Sequence, residues 1–579
     1  MRSMTFLFVL PLLAAPPAHD IRNTYTPGTN THFQMPEYKT RTEWEARART
    51  LRRQILVAAG LDPMPERTPL NPMIFGRFER GAYSVEKVLL ETMPGYYLAG
   101  NLYRPIGKPG KLPGVLSPHG HWTYGRLENQ PLGSIPLRCI NLARQGYVVF
   151  SYDMVGYNDT IQTPHAFSHP REQLWSFGPL GLQLWNSIRA ADFIESLPEV
   201  DPKRIGMTGA SGGGTQTFLM YAVDDRIAYA APVNMISAIM QGGSGCENAP
   251  GLRAGAFNVE IGAMMAPRPL LMISATGDWT RNTPREEHPA IRHIYELFDA
   301  TAKVETVQFD APHNYNKDSR EAMYRFFGKH ALGETDETKF KEHASGVEPL
   351  PHLMVLHGRT LPPNALTYEQ IFTQWVARSR KQQAAASEAD LRERLRLAIG
   401  VELPGSVDQA IEGERITLGT GKGDRVPGIW LPGKAGGEAI LAVHPEGAVA
   451  GRGDASIGKL TAAGKPVLLI DAFQTGSAVE PRNEKGSHFL TFNRSKDANR
   501  VQDIVTAVSW LRSTGHRNIR IVGLGKASVW ALFAAAISQT TLTADTSWFP
   551  GTDDDYIRDF FVPGVQRAGG LDVARRLVH

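Results

Sequence analysis

From Tyr83 to about 330 the chain alternates short apolar runs with longer segments of helical spacing. Residues 83–91 and 96–104 read as two extended segments, a hairpin with Met93-Pro94-Gly95 near its turn. The runs 114–117, 147–152, 204–208, 227–233, 269–275 and 304–309 read as strands rich in β-branched and apolar side chains. Between them, 133–145, 181–197, 212–222, 284–298 and 319–330 have the period of helices. In the second of these, Leu184, Ile188, Ala191 and Ile194 share one face. Such alternation predicts a mostly parallel, doubly wound α/β sheet.

The ends of the chain read differently. Arg2 followed by the apolar run Met4–Leu13 and the small residues Ala14, Ala15 and Ala18 has the form of a secretory signal peptide over 1–18, its cut site left open by Pro16 and Pro17. The run is too short to span a bilayer. Residues 19–79 read as an N-terminal helical lead, with a helix over 42–59. Residues 80–332 carry the strand–helix series, and 333–389, Pro- and charge-rich at its start and including the polar, Ala-rich 382–389 typical of a linker or a solvated helix, reads as a linker.

The pattern then restarts over 390–579. Leu116-Ser117-Pro118-His119-Gly120 is matched by Leu441-Ala442-Val443-His444-Pro445. Arg204-Ile205-Gly206-Met207-Thr208-Gly209 is matched by Asn518-Ile519-Arg520-Ile521-Val522-Gly523. The order is kept and the offset shrinks steadily, as two copies with shorter second-copy loops would give. Where the first copy has Ser211, the second has Gly525. His579 falls short of where the first copy's later loops would lie. The expectation is therefore tandem α/β folds, the second incomplete, degenerate and limited to a structural or binding role.

Composition changes little. The 579 residues are 42% apolar and 21% charged with a net charge of +4. No dense Lys/Arg block argues for nucleic acid. Two cysteines, Cys139 and Cys246, are no disulfide framework, though in an exported chain they have the option of pairing.

The candidate chemistry centres on Gly209-Ala210-Ser211-Gly212-Gly213, between an expected strand and an expected helix. A serine on such a turn is exposed at the top of a sheet, with the Gly212 N–H available to an oxyanion. Serine needs a base, and His313 in Ala311-Pro312-His313 follows the last strand. Asp278, just past the strand 269–275, is the candidate acid, with Asp310 its nearest rival. The loop His119-Gly120-His121-Trp122 would supply a second oxyanion donor from the His121 N–H. His119-x-His121 has no third ligand at metal-site spacing, so no metal is expected. Trp122, Trp279 and Glu247 lie beside these positions and are candidates for substrate contact.

Pro118-His119-Gly120-His121, Asp153-x-x-Gly156, Gly209-x-Ser211-x-Gly213, Gly277-Asp278 and Pro312-His313 together resemble the acetyl xylan esterase and dienelactone hydrolase-like branch of the α/β-hydrolases. The resemblance covers about 80–332, and weakly 390–579. It implies a carboxylic ester hydrolase without a cofactor, acting through a Ser-His-Asp triad and an acyl-enzyme. It further implies an exported protein acting on a small ester or an acetylated polysaccharide, in the periplasm or outside the cell, with no stable membrane insertion once the signal is cut. A serine peptidase of the prolyl-oligopeptidase type is a rival, although no β-repeat series precedes the sheet. A non-catalytic carbohydrate-binding protein on a hydrolase scaffold is the other. The acyl group, the alcohol and the oligomeric state stay open.

Overall fold

The computed structural model describes residues 16–434 and 437–578. The expected signal peptide therefore lies almost wholly outside the described residues. The chain divides into two compact units: 27–382 with 486–492, and the segment up to Thr26 with 383–485 and 493–579.

The first unit is built on a nine-stranded sheet. Its strands are β1 (Met73–Arg80), β2 (Tyr83–Met93), β3 (Tyr96–Pro105), β4 (Leu112–Leu116), β5 (Val148–Tyr152), β6 (Val200–Ala210), β7 (Ile227–Val233), β8 (Leu270–Gly277) and β9 (Val304–Pro312). Their order across the sheet is β1-β2-β3-β5-β4-β6-β7-β8-β9. β1, β2 and β3 pair antiparallel, as does β3 with β5, and every pair from β5 to β9 is parallel. A parallel sheet is covered on both faces. Accordingly all of β5 is buried, Val149 lying in the core that holds α2 (Ile135–Gln145) and Phe150 stacking edge-on with Phe193 of α3 (Pro179–Ser196) at 5.0 Å. The period-two alternation of a strand thus serves two helical layers.

Helix α1 (Arg41–Ala58) is closed by a capping box between Thr40 and Glu43, two residues before the expected start. The segment expected to be wholly a helical lead, 19–79, also holds β1. That strand escapes the pattern because it lies at the sheet edge with hardly a buried residue. Nor is 333–389 a plain linker. It is folded, with Tyr368–Ala384 helical, and through Gln382 it belongs to the first unit. Ile371, Phe372 and Trp375 are buried there, and the Trp375 indole N–H donates to the Trp175 carbonyl at 3.0 Å. Conversely, 486–492, expected in the second copy, belongs to the first unit.

The second unit has a seven-stranded sheet of β10 (Asp408–Glu412), β11 (Arg415–Gly419), β12 (Val426–Leu431), β13 (Ala439–Val443), β14 (Val467–Ile470), β15 (Ile519–Gly523) and β16 (Thr541–Ala544). The order is β10-β11-β12-β14-β13-β15-β16. This is the order of β1 to β7 in the first sheet, with the same parallel and antiparallel pairings. Gly525 lies between β15 and the helix Ala527–Ser538, where the first unit has Ser211 between β6 and α4 (Gly212–Val223).

Candidate active site

Ser211 sits between the end of β6 and the start of α4 with φ 58° and ψ −125°. A non-glycine residue is forced into that region only by its surroundings. Here the Ser211 N–H is tied to the Val233 carbonyl at the end of β7, 3.1 Å away, and its own carbonyl accepts from Thr215 N–H. Gly212 opens α4, so its N–H has no acceptor within the helix. A Cβ at Gly212 would lie 2.5 Å from Met154 Cε and 2.7 Å from His121 Cε1, so those two side-chain ends would have to shift. At Gly120 a Cβ would lie 2.7 Å from the Ala210 carbonyl oxygen and 3.0 Å from Ser211 Cβ. The loop after β4 therefore passes directly over the serine turn.

The orientation of that loop comes from His119. It is fully buried, and its Nε2 accepts from the Met154 N–H at 2.9 Å. Its proton is consequently on Nδ1, which donates to the Gly120 carbonyl at 2.7 Å. Burial pushes its pKa down to about 3, so the ring is neutral. Because the Gly120–His121 peptide is planar and trans, a carbonyl drawn toward His119 sends the His121 N–H the opposite way. His119 is thus a positioning residue that sequence reasoning treated only as part of a motif.

Asp278 and His313 are brought together. His313 Nδ1 donates to Asp278 Oδ2 at 2.8 Å. The other carboxylate oxygen accepts from Thr280 N–H at 2.7 Å and Thr280 Oγ at 2.6 Å. The Asp278 side chain is only 2% exposed. His313 Nε2 is buried and carries no hydrogen bond, including none to Ser211. The rival acid Asp310 is turned away, accepting from Thr276 Oγ. Trp279 lies over His313 at 4.4 Å between ring centroids and donates its indole N–H to the Asn234 carbonyl. Asn234, itself at φ 50°, donates to the Asn314 carbonyl and so ties the end of β7 to the histidine loop. Thr280 and Asn234 are supports that only the fold reveals.

The remaining sequence candidates divide. Trp122 packs against Gly133 and the core rather than standing free. Glu247 is buried, and its carboxylate is taken by Thr215 Oγ, the Gly243 and Ser244 N–H groups and Ser244 Oγ. It organises the 242–248 loop, with both carboxylate oxygens already engaged. Cys139 and Cys246 are both free thiols and both buried, so the option of a disulfide is not taken. Cys139 faces Ser117, whereas Cys246 Sγ lies 3.1 Å from His121 Nε2. His165, not singled out in the sequence, joins them with its Nε2 3.1 Å from His121 Nε2.

With this geometry in view, residues 78–236 match the family model for acetyl xylan esterase (AXE1). The solved structure of the methylesterase BT1017 is similar over 59% of this chain and 78% of its own, at 30% identity and a TM-score of 0.51. The chain belongs to the acetyl xylan esterase and dienelactone hydrolase-like branch of the α/β-hydrolases. As a member of that esterase branch, it is a carboxylic ester hydrolase. A candidate hydrolase of Bacillus subtilis, YtaP, is 29% identical over 180 residues, and PA2218 of Pseudomonas aeruginosa is 28% identical over 142. The matches span 58% and 34% of those two relatives, and 29% and 24% of this chain.

Proposed function

We propose that this carboxylic ester hydrolase works through Ser211, His313 and Asp278 and acts on an esterified carbohydrate. The observation that carries the triad is the Asp278–His313 pair, whose free Nε2 belongs to the same sheet end as the strained Ser211 turn. Asp278 holds the Nδ1–H tautomer, which leaves Nε2 basic. Nε2 takes the Ser211 proton as Oγ attacks the ester carbonyl. The tetrahedral oxyanion is received by the Gly212 and His121 N–H groups. Collapse expels the alcohol, protonated by the imidazolium. Water, deprotonated by Nε2, then releases the acid from the acyl-enzyme and restores Ser211.

Two ester types are supported by different likenesses. The family model favours an acetyl ester, and the likeness to a methylesterase favours a methyl ester. Incubation with acetylated xylan and with methyl-esterified uronic acid, read as acetate against methanol, separates them. Ser211→Ala should abolish both, and retention of full activity would refute the triad.

The N-terminal pattern of Arg2, Met4–Leu13 and Ala14, Ala15 and Ala18 supports export of this enzyme. Cell fractionation tests this, and retention of the uncut chain in the cytoplasm would overturn it. Among the described residues no helix is long and apolar enough to cross a membrane.

A further inference from the structure

Three loops at the carboxyl ends of strands bring a second set of reactive side chains together: His121 after β4, His165 after β5 and Cys246 after β7. Among the described residues this is the one group of three or more His, Cys or carboxylate side chains placed so as to be able to hold a metal ion, its donor atoms all within 4.8 Å of one another. His165 Nε2, Cys246 Sγ and Ser244 Oγ each lie 3.1 Å from His121 Nε2. We propose that His121 Nε2, His165 Nε2 and Cys246 Sγ form a binding site for one divalent transition metal of the zinc class.

Three features carry this beyond proximity. First, donors held tetrahedrally at zinc bond lengths of about 2.0 Å to nitrogen and 2.3 Å to sulfur are roughly 3.3–3.7 Å apart. The two separations from His121 Nε2, 3.1 Å each, need a few tenths of an ångström of opening, and the third, between His165 Nε2 and Cys246 Sγ, lies within 4.8 Å and is brought to bonding range by side-chain rotation. Second, His165 Nδ1 donates to the Val155 carbonyl at 2.7 Å. That bond fixes the tautomer, leaving the Nε2 lone pair facing the cluster, as metal-binding histidines are held. Third, one proton on His121 Nε2 can serve only one of the three groups converging on it, whereas a cation accepts a lone pair from each nitrogen and from sulfur. Imidazole and thiolate select zinc-like ions over magnesium or calcium.

Binding is written in balance: the metal–sulfur bond forms as the Cys246 S–H bond breaks, and the proton leaves to solvent. Three protein donors leave a fourth position, for water or the Ser244 hydroxyl. His121 is exposed, so that position is reachable from solvent. An occupied site would also tether the loop whose His121 N–H faces the proposed oxyanion. The binding claim does not depend on the triad, and its test reads metal rather than turnover.

The full-length chain, stripped with a chelator that is then removed, is titrated with Co²⁺. The expected result is a near-ultraviolet thiolate-to-cobalt charge-transfer band that saturates at about one cobalt per chain and is displaced by Zn²⁺. Cys246→Ala should lose that band, and His165→Asn should weaken cobalt binding by at least about tenfold. Near-ultraviolet circular dichroism reports whether each variant is folded. If Cys246→Ala is misfolded, folded His165→Asn answers alone, and unchanged cobalt affinity there overturns the proposal. So does a wild-type chain with no saturable band, or a band that persists in folded Cys246→Ala.

Discussion

Asp278 Oδ2 accepts the Nδ1–H of His313 at 2.8 Å, and the carboxylate's other oxygen is held by Thr280. The acid thus has a fixed direction before any substrate arrives. Asp278→Asn should preserve the fold but offer an N–H where an acceptor is needed, favouring the wrong imidazole tautomer. We expect kcat on an aryl acetate to fall on the order of 10³–10⁴-fold with KM little changed. A loss below about tenfold would show that Asp278 is not the orienting acid.

His119 makes a separate prediction, because it touches the proposed oxyanion loop and not the proposed base His313. His119→Gln should loosen the Gly120 carbonyl and let the His121 N–H wander. The expected signature is a kcat lowered by about 10–100-fold with KM within about twofold, since the interaction lost is one made in the transition state. A structural role alone would lower the amount of folded enzyme without lowering turnover per active site. Active-site titration with a fluorophosphonate distinguishes the two.

The same histidine gives a pH dependence with a definite sign. Its ordinary pKa is 6.5, and burial lowers it to about 3 in the folded protein. Between those values the unfolded chain binds a proton that the folded chain refuses. Stability from this group is therefore present above about pH 6.5 and is lost as pH falls toward 3. At about pH 5 the loss is on the order of 2 kcal/mol. Urea unfolding of wild type and His119→Gln should show the stability gap between them narrowing by that amount from about pH 7.5 to about pH 5. A gap independent of pH would mean that His119 is not held neutral.

Much of this is legible in the sequence, for physical reasons. β4, β5, β7 and the second half of β6 are buried and must read as largely apolar runs. Ser211, Asp278 and His313 fall just after strands, where a loop residue's position follows from the strand itself. β1 was missed because an edge strand with little burial has no alternation to read. The helix Tyr368–Ala384 was missed for a different reason. Its apolar signal, Ile371, Phe372 and Trp375 at helical spacing, was present but outweighed by the polar, Ala-rich run that ends it. The gathering of His121, His165 and Cys246 left no local trace. Their spacing in the chain says nothing, and only the strand order brings their loops to one place. Glu247 shows the converse: the partners of a carboxylate near the site in sequence, here the N–H groups of its own loop, become visible only in the fold.

The support beneath the proposed oxyanion loop yields the last prediction. Arg126 is fully buried and ion-paired to both Asp153 and Asp159, and its Nε donates to Asn101 Oδ1 at 2.9 Å. Asp153 in turn accepts from Asn158 Nδ2 at 2.8 Å and from the Asp159 N–H at 3.0 Å, and Asp159 accepts from the Val355 and Leu356 N–H groups. One cation therefore fastens the loop after β4 to the loop after β5 and to 355–356. Burial pushes the Asp153 carboxyl up to about 6 even with Arg126 beside it, so its charge depends on that partner. Arg126→Met keeps most of the volume but strands two carboxylates. Removing one partner of a buried ion pair costs about 3–5 kcal/mol, far more than the pair contributes over an apolar replacement. We expect Arg126→Met to lose that much stability in urea. The triple change Arg126→Met, Asp153→Asn and Asp159→Asn should recover a large part of it, since no charge is then left unpaired. If the triple variant is no more stable than Arg126→Met, the loss comes from packing and from the Asn101 contact, not from stranded charge.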